Sequence, residues 1–491
     1  MNITLIVFVV LYLLGTLGIG VWAGTRIKNT SDFAIAGRSL PLAMVVTTTF
    51  ATWFGAETVM GIPAKFVQGG LNAIVEDPFG AGTCLILVGM FFATKLYRQN
   101  LLTIGDFYRQ RFGKGIEVFC SAAIILSYLG WVAAQITALG LVFSVLTNGA
   151  MSQTAGMIVG TLAVLIYVVI GGFLAVAWTD FIQMIVLVLG LSVIAFFSAG
   201  LAGGADKVLA LAQNKDLFHF LPPANFTDLA MFVGASVTMM LGSIPQQDVF
   251  QRVMSAKDEK TARRGAMIGG MSYILFAAVP MFIVLSAVVV LGQQALDIAR
   301  DDYQKLLPMY VLTRMPLIMQ ILFFGALLSA IKSTSSATLL APSTSFVENI
   351  LKNLRPRMGD RQQLLAMRWT IIIFAGLVLS YAIAMRGTSI YELVSSAYQV
   401  TLVGAFVPLV MGLYWPRATT QGAVWSLVAG MGVWIFMLPQ VSTLGEVFPG
   451  QLAGLLAGLL AMVLGSLAPQ WMKDRKEHKR HVTGLPDEAT A

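Results

Sequence analysis

The chain carries little charge for its length. Of its 491 residues, only 11% are Asp, Glu, Lys or Arg, whereas 57% are hydrophobic. Soluble globular proteins carry about 25% charged residues, so this composition argues against a soluble enzyme. A disordered chain is excluded as well, because apolar residues are abundant and the net charge of +8 is modest.

Cysteine and histidine are scarce too. Cys84 and Cys120 both lie in apolar stretches, and they define neither a disulfide framework nor a metal site. The histidines His219, His478 and His481 lie outside the apolar stretches, so none is available for an intramembrane proton relay. The sequence shows no nucleotide-binding P-loop, no repeated filter-like segment and no nucleophile–base motif. These absences argue against a primary pump, an ion channel and an intramembrane enzyme.

Long apolar runs dominate what is present. A membrane-spanning helix needs about 20 mostly apolar residues, and about thirteen such runs occur. They cover roughly residues 2–24, 41–66, 78–97, 116–147, 153–171, 173–202, 226–250, 262–292, 308–347, 366–385, 389–413, 420–438 and 450–470. The sequence therefore predicts an all-α polytopic protein in a lipid bilayer, at the plasma membrane and specifically a bacterial inner membrane. We expect no cofactor, no nucleic-acid partner, and a monomer or a weak homo-oligomer.

Basic residues predict the orientation of these helices. With the N-terminus outside, 24 Lys and Arg residues fall on cytoplasmic segments, 7 fall outside, and Lys332 lies within a span. Cytoplasmic loops are enriched in Lys and Arg, so the N-terminus is predicted outside and the C-terminus inside. The polar tail beyond the last run is predicted to be disordered.

Two helices carry Gly and Pro beside polar residues. The second predicted helix contains Gly55 and Pro63 around Glu57, and the seventh contains Gly242 and Pro245. They lie five helices apart, so two five-helix blocks have opposite topology. Paired interrupted helices point to an inverted-repeat transporter with its site at the breaks.

Three segments resemble the sodium:solute symporter family. They are Gly171–Gln183 (GGFLAVAWTDFIQ), Gln251–Lys257 (QRVMSAK) and the Ser/Thr-rich stretch Ser333–Ser336. The resemblance runs from Asp32 to about Leu413. It implies the five-plus-five inverted repeat of leucine-transporter-like folds.

Two branches of that family are the most similar. The Trp-Thr-Asp and Ser-Thr segments resemble proline permeases, whereas Ala51–Trp53 and Gly130–Ala134 resemble the choline transporter branch. In the choline branch the matching tryptophans help to cage a quaternary ammonium. A third cage tryptophan falls at Gln246 here, and an acidic residue of the proline permeases falls at Trp53.

Four residues are predicted to contact substrate. Trp53 and Trp131 can present aromatic faces to a cationic or zwitterionic solute, or they can simply pack in the bundle. Glu57 can receive a substrate ammonium or a proton, or it can bond the free backbone of the break. Gln246 offers amide donors and an acceptor to orient a solute. Asp248, four residues before Arg252, is expected to pair with it.

The resemblance also implies a sodium site. Its positions are the backbone carbonyls of Ala51, Phe54 and Ala330 and the hydroxyls of Ser333 and Thr334. Ala330, Ser333 and Thr334 share one helical face, and oxygen ligands suit a hard cation. Serine and threonine runs also serve plain helix packing.

Lys332 is the most unusual residue of the sequence. A lysine at mid-membrane costs about 2.5–3.5 kcal/mol on insertion scales, so it needs a partner or a cavity. We expect Asp180 as the partner, with the ammonium near Ser336 at the edge of the cation site. It would then weaken or replace sodium, giving proton-coupled or facilitated transport. Alternatively, Lys332 extends into a water-filled vestibule and leaves sodium binding intact.

The sequence thus predicts a secondary transporter, not an enzyme, that moves a small polar organic solute by alternating access. The solute is an amino acid or an amine, and the coupling ion is sodium or a proton. A sensory input domain acting with a separate partner is the remaining alternative. The predicted segments are 1–40 (N-terminal helix and first loop), 41–202 (first repeat), 203–225 (extracellular loop), 226–413 (second repeat), 414–470 (two C-terminal helices) and 471–491 (cytoplasmic tail).

Overall fold

A computed structural model describes residues 3–438 and 441–472 of the chain. The predicted polar tail, residues 473–491, lies outside this range. Helices account for nearly all regular structure in the described residues. The longer ones are α1 (Ile3–Gly24), α2 (Leu42–Trp53), α3 (Ile62–Gly69), α4 (Asn72–Tyr97), α5 (Ile104–Phe112), α6 (Lys114–Leu146), α7 (Gln153–Leu201), α8 (Phe226–Gly242), α9 (Gln247–Ser255), α10 (Glu259–Leu291), α11 (Leu317–Leu354), α12 (Asp360–Ala384), α13 (Ile390–Tyr414), α14 (Thr420–Phe436) and α15 (Gly450–Leu467). Shorter helices span Thr30–Ile35, Ala205–Asn214, Gln293–Asp302 and Leu306–Arg314.

Each predicted apolar run falls on helix. Nine helices of the described residues are long and apolar enough to cross a membrane by themselves, and ten if the bent pair α8–α9 counts as one span. The broken pair α2–α3 and the short α14 account for two further predicted runs. The runs 153–171 and 173–202 lie on two helical segments, one on each side of a break at Gly172, and the two segments together carry the label α7. The total of thirteen spans and their orientation stay predictions.

Gly172 is where α7 departs from helical geometry. Its φ of 48° lies in the left-handed region, and a Cβ at this position would lie 2.5 Å from the Phe33 ring. Glycine is tolerated because it has no Cβ. The boundary predicted between two helices therefore falls at this break.

Both predicted helix breaks are present. α2 ends at Trp53, and Phe54 has non-helical backbone angles (φ −87°, ψ 67°) before a π-helical turn leads into α3. α8 and α9 bend by 45° around the segment that contains Pro245. Proline lacks an N–H and cannot continue the hydrogen-bonding ladder, which explains the second break.

The core of the bundle surrounds these breaks. α6 packs against α7, α11 and α13, and α2 packs against α7 and α10. α1 lies outside this group against α7 and α11, while α14 and α15 pack on each other. Many side chains of α1 and α12 are exposed apolar groups, as expected for a surface that faces lipid.

Polar caps mark several helix starts at the predicted membrane surfaces. Asn225 caps α8 and Ser389 caps α13 through bonds to backbone N–H groups. Asp258 caps α10 by accepting from the Thr261 N–H at 2.8 Å. This bond holds the pKa of the Asp258 carboxyl below its ordinary value. Caps of this kind satisfy amides that have no partner inside the helix.

Candidate functional site

The break in α2 is closely surrounded by side chains from other helices. A Cβ placed on Gly55 would lie 2.5 Å from Glu57 Oε2, 2.6 Å from Thr334 Oγ1 and 2.9 Å from Gln135 Oε1. The Ala56 N–H, freed by the break, donates to Gln135 Oε1 at 2.9 Å. Glycine at this position therefore lets α6 and α11 reach the opened backbone.

Glu57 is fully buried directly after the break. The Trp131 indole N–H donates to its Oε1 at 2.9 Å, and the Gln135 amide donates to its Oε2 at 2.6 Å. Two N–H donors suit a carboxylate acceptor. The predicted residues Glu57 and Trp131 are thus in direct contact, and Gln135 joins them.

Four aromatic rings form a cluster, which we call the aromatic box. It consists of Trp53, Tyr128, Trp131 and Tyr398. Trp53 and Trp131 meet edge to face at 5.7 Å between ring centroids, and Tyr398 lies 6.1 Å from the first and 5.5 Å from the second. Tyr128 stacks on Trp131 at 6.1 Å. The two predicted tryptophans therefore lie together, with two tyrosines that the sequence did not single out.

Asp248 closes the box on the side of α9. The Trp53 indole N–H donates to Oδ2 at 3.1 Å, and the Tyr128 hydroxyl donates to Oδ1 at 2.5 Å. The expected carboxylate pair with Arg252 is wrong. Arg252 instead donates to the Asp248 backbone carbonyl at 2.8 Å and to Thr52 Oγ1 at 2.5 Å. The Trp53 N–H and the Tyr128 O–H donate to the two carboxylate oxygens of Asp248, so this side chain faces the aromatic box and not the Arg252 guanidinium.

Gln246 lies at the second break, next to the box. Its amide Nε2 donates to Ser127 Oγ at 2.8 Å, and Thr401 Oγ1 lies 3.5 Å away. Its Oε1 is buried and accepts no hydrogen bond from the residues that the structure describes. Ser127 and Tyr128 are adjacent on α6, so Gln246 borders the aromatic box and offers it an acceptor.

The predicted cation site lies on the other side of the α2 break. The Thr334 hydroxyl donates to the Thr52 carbonyl at 2.8 Å, which brings α11 against the end of α2. The bonds across the break use the carbonyls of Phe50, Thr52, Trp53 and Gly55. None of them uses the carbonyls of Ala51 or Phe54.

The hydroxyl of Ser333 is bound to Asp180. Asp180 Oδ1 accepts from Ser333 at 2.5 Å, and Oδ2 accepts from Thr48 at 2.6 Å. Ser336 donates to the Ser333 carbonyl at 2.8 Å, one turn farther along α11. Ala330, Ser333 and Thr334 are all buried. This region therefore combines hydroxyls, carbonyls and one carboxylate.

The expected Lys332–Asp180 ion pair is wrong. No Lys–Asp contact within 4.0 Å joins these two described residues. The Lys332 ammonium instead donates to the Thr16 hydroxyl and lies 4.2 Å from the centroid of the Tyr167 ring. The side chain points toward α1 because Lys332 and Ser333 are separated by about 100° around the helix.

Sequence reasoning missed five residues of this region: Tyr128, Gln135, Asp248 as an acceptor for two rings of the box, Arg252 and Tyr398. A signal existed for two of them. Tyr128, Trp131 and Gln135 follow a spacing of three and four, which places them on one face of α6. No local pattern marks Tyr398, which joins the box only through the tertiary packing of α13.

Two interrupted helices that meet beside a buried polar and aromatic centre define a secondary transporter of the inverted-repeat type. A model of the sodium:solute symporter family matches residues 33–430. The chain therefore belongs to the sodium:solute symporter family and is a multi-pass plasma-membrane transporter of small solutes, not an enzyme. Family membership makes sodium the expected coupling ion.

Individual proteins agree with this assignment. The chain is 26% identical over 442 residues to high affinity choline transporter 1 of Homo sapiens, with 87% of this chain and 75% of that protein aligned. It is 26% identical over 472 residues to a high-affinity proline transporter of Bacillus subtilis, covering 93% and 97%. A substrate-bound, outward-open Na⁺-coupled sialic acid symporter superposes with a TM-score of 0.80 at 20% identity, covering 95% and 98%. The predicted all-helical inverted-repeat fold is confirmed.

Proposed function

We propose that the protein is a sodium-coupled symporter of a small organic cation of the ammonium type. One observation carries this proposal: the aromatic box lies at the α2 break, with ring centroids 5.5–6.1 Å apart. An ammonium over an aromatic face gains about 0.5–2 kcal/mol. The rings contact one another in this conformation, so the substrate binds when they separate.

The charges around the box favour a cation. Glu57 and Asp248 are buried carboxylates that hold the indole N–H edges of Trp131 and Trp53. The neighbouring cation, Arg252, is already bound by Thr52 and by the main chain of α9. Arg252 Nε has no hydrogen-bond partner among the described residues. The two carboxylates outnumber this one cation, so the box favours a substrate ammonium over a substrate carboxylate.

The two relatives suggest which solutes to compare. Their names say that one transports choline and the other proline. Choline carries an ammonium without a carboxylate, whereas proline carries both groups. The box fits the first chemistry better, and the unpaired Gln246 Oε1 can accept from a substrate hydroxyl. We therefore propose Trp53, Glu57, Trp131 and Gln246, together with Tyr128 and Tyr398, as substrate-site residues.

Alternating access follows from the proposed repeats, 41–202 and 226–413. The two broken helices belong to different repeats, so rocking of one repeat against the other would open and close the box. The remaining proposed segments, 1–40, 203–225, 414–470 and 471–491, flank or connect these repeats.

We place the coupling sodium at the Ala51, Phe54 and Ala330 carbonyls and the Ser333 and Thr334 hydroxyls. Support comes from the two carbonyls of the break that remain without a bond across it. Hard cations prefer such oxygen ligands. Lys332 is directed toward α1 and does not pair with Asp180, which supports intact sodium coupling over replacement by the ammonium or a proton.

Ligand-dependent thermal unfolding of the purified protein tests the substrate class. We expect choline to raise the unfolding temperature more in sodium chloride than in potassium chloride, with little effect of proline. Trp53→Ala should weaken choline binding by about 1–2 kcal/mol, because one aromatic face is lost. Trp434→Ala, outside the box, is the control. Stabilisation by proline alone would exclude the proposed substrate class.

A further inference from the structure

Two adjacent acidic residues lie at the start of α4, apart from the aromatic box. Glu76 is 9% exposed and Asp77 is 2% exposed. Glu76 Oε2 and Asp77 Oδ2 are buried and accept no hydrogen bond from the described residues. Buried acceptors without a donor cost free energy, so these two oxygens are suited to receive a cationic group.

A cavity of about 400 Å³ opens beside Glu76. We call it the outer vestibule, because the predicted topology places it on the extracellular side. Its lining includes Lys65, Asn72, Glu76, Asp228, Tyr391 and Glu392. This volume holds a small organic molecule and is far larger than a bare sodium ion needs.

An ammonium of the protein itself already occupies part of this space. Lys65 Nζ lies 3.8 Å from Glu392 Oε1 and 5.9 Å from the centroid of the Tyr391 ring. Lys65 and Glu76 line the same cavity. The vestibule wall thus offers an ammonium the same two partners as the aromatic box, a carboxylate and an aromatic face.

Asp77 connects the vestibule to the box. Its Oδ1 accepts from the Tyr273 hydroxyl, which lies 2.9 Å from Thr58 Oγ1. The Thr58 hydroxyl donates in turn to the Trp53 carbonyl at 3.2 Å. A continuous polar contact therefore runs from the acidic pair to the α2 break.

We infer that the outer vestibule is a first binding site for the organic cation, recognised by Glu76 and Tyr391 before the substrate reaches the aromatic box. The inference rests on the proposed function and extends it. Lys65 is the internal cation that holds this site in the free protein and that the substrate ammonium displaces.

Choline uptake into proteoliposomes tests the inference through the half-saturating concentration. Glu76→Gln removes a charge that attracts the substrate, so this concentration should rise about tenfold while the maximal rate changes less than about twofold. Asp228→Asn is the matched control, because this carboxylate lines the same cavity but is bound by Asn225 at 2.7 Å. Equal half-saturating concentrations for Glu76→Gln and the wild type would overturn the inference.

Lys65→Gln provides a second, opposite readout. Its side chain is 35% exposed, so the substitution leaves folding intact. Loss of the internal competitor should lower the half-saturating concentration about threefold. An unchanged or raised value would overturn the inference. If Glu76→Gln shows no cooperative unfolding transition, that variant is not folded, and Lys65→Gln alone then tests the inference. A wild type that takes up no choline refutes the proposed function, and with it the inference. Normal wild-type uptake with unaffected variants refutes only the vestibule.

Discussion

At the scale of single residues, Gly55 stands between the two proposed sites. Its missing side chain leaves room for Glu57 and Gln135 on the substrate side and for Thr334 on the cation side. The three neighbours come from three different helices. A change at Gly55 should therefore disturb substrate and sodium binding together.

Gly55→Ala tests this role. A methyl group 2.5 Å from Glu57 Oε2 and 2.6 Å from Thr334 Oγ1 forces both side chains to move. We expect uptake to fall at least about tenfold, because overpacking a close contact shifts the groups around it. Gly325→Ala on α11 is the control, since a Cβ there meets no atom within 4 Å. Wild-type uptake by Gly55→Ala would remove the break from the mechanism.

Residue chemistry explains what the sequence could predict of this site. The breaks were predictable because Gly and Pro interrupt helices for local reasons, and Trp53, Glu57 and Trp131 do lie together. The partners of Asp248 and Lys332 were not predictable. A helical position gives the direction of a Cβ, but a long side chain chooses among partners that only tertiary packing supplies.

At the scale of elements, α11 separates two functions on two of its faces. One face carries the Ser333 and Thr334 hydroxyls toward α7 and α2. Another directs Lys332 toward Thr16 on α1 and the Tyr167 ring. The lysine thus joins the peripheral helix to the core and makes no ion pair with Asp180.

Substitutions on α11 should therefore differ in their effect on sodium. Thr334→Val removes a proposed ligand, so the half-activating sodium concentration should rise about tenfold. Lys332→Met should leave it within about twofold, because the ammonium is directed toward Thr16 on α1. Ser335→Ala is the control, since that hydroxyl is bound to the Ile331 carbonyl of its own helix at 2.6 Å.

Sodium-dependent uptake kinetics of the three variants distinguish the two interpretations of Lys332. If the parent is insensitive to sodium and Lys332→Met becomes sodium-stimulated, the lysine replaces the ion. That result would contradict the sodium site proposed here.

At the scale of the whole molecule, the distribution of basic residues predicts one orientation of the bundle in the membrane. The outer vestibule and α3 then face outside, while the loop between α11 and α12 faces the cytoplasm. The broken helices lie in the interior of the bundle, where exposed backbone is tolerated because protein surrounds it. Solute and sodium would thus meet at the centre and leave on the cytoplasmic side.

Cysteine accessibility in intact cells tests this orientation. Cys84 and Cys120 are buried, so background labelling should be low. An impermeant thiol reagent should label Lys215→Cys from outside and leave Arg357→Cys unlabelled until the membrane is permeabilised. External labelling of Arg357→Cys would reverse the topology.

Concentrative uptake in proteoliposomes tests the central claim most directly. Labelled choline is added outside vesicles that contain the purified protein, with an inward sodium gradient or with potassium in its place. The account predicts that choline accumulates transiently above its external concentration only with the sodium gradient, and that proline does not compete. Equal choline uptake in sodium and potassium, or accumulation of proline in place of choline, would contradict it.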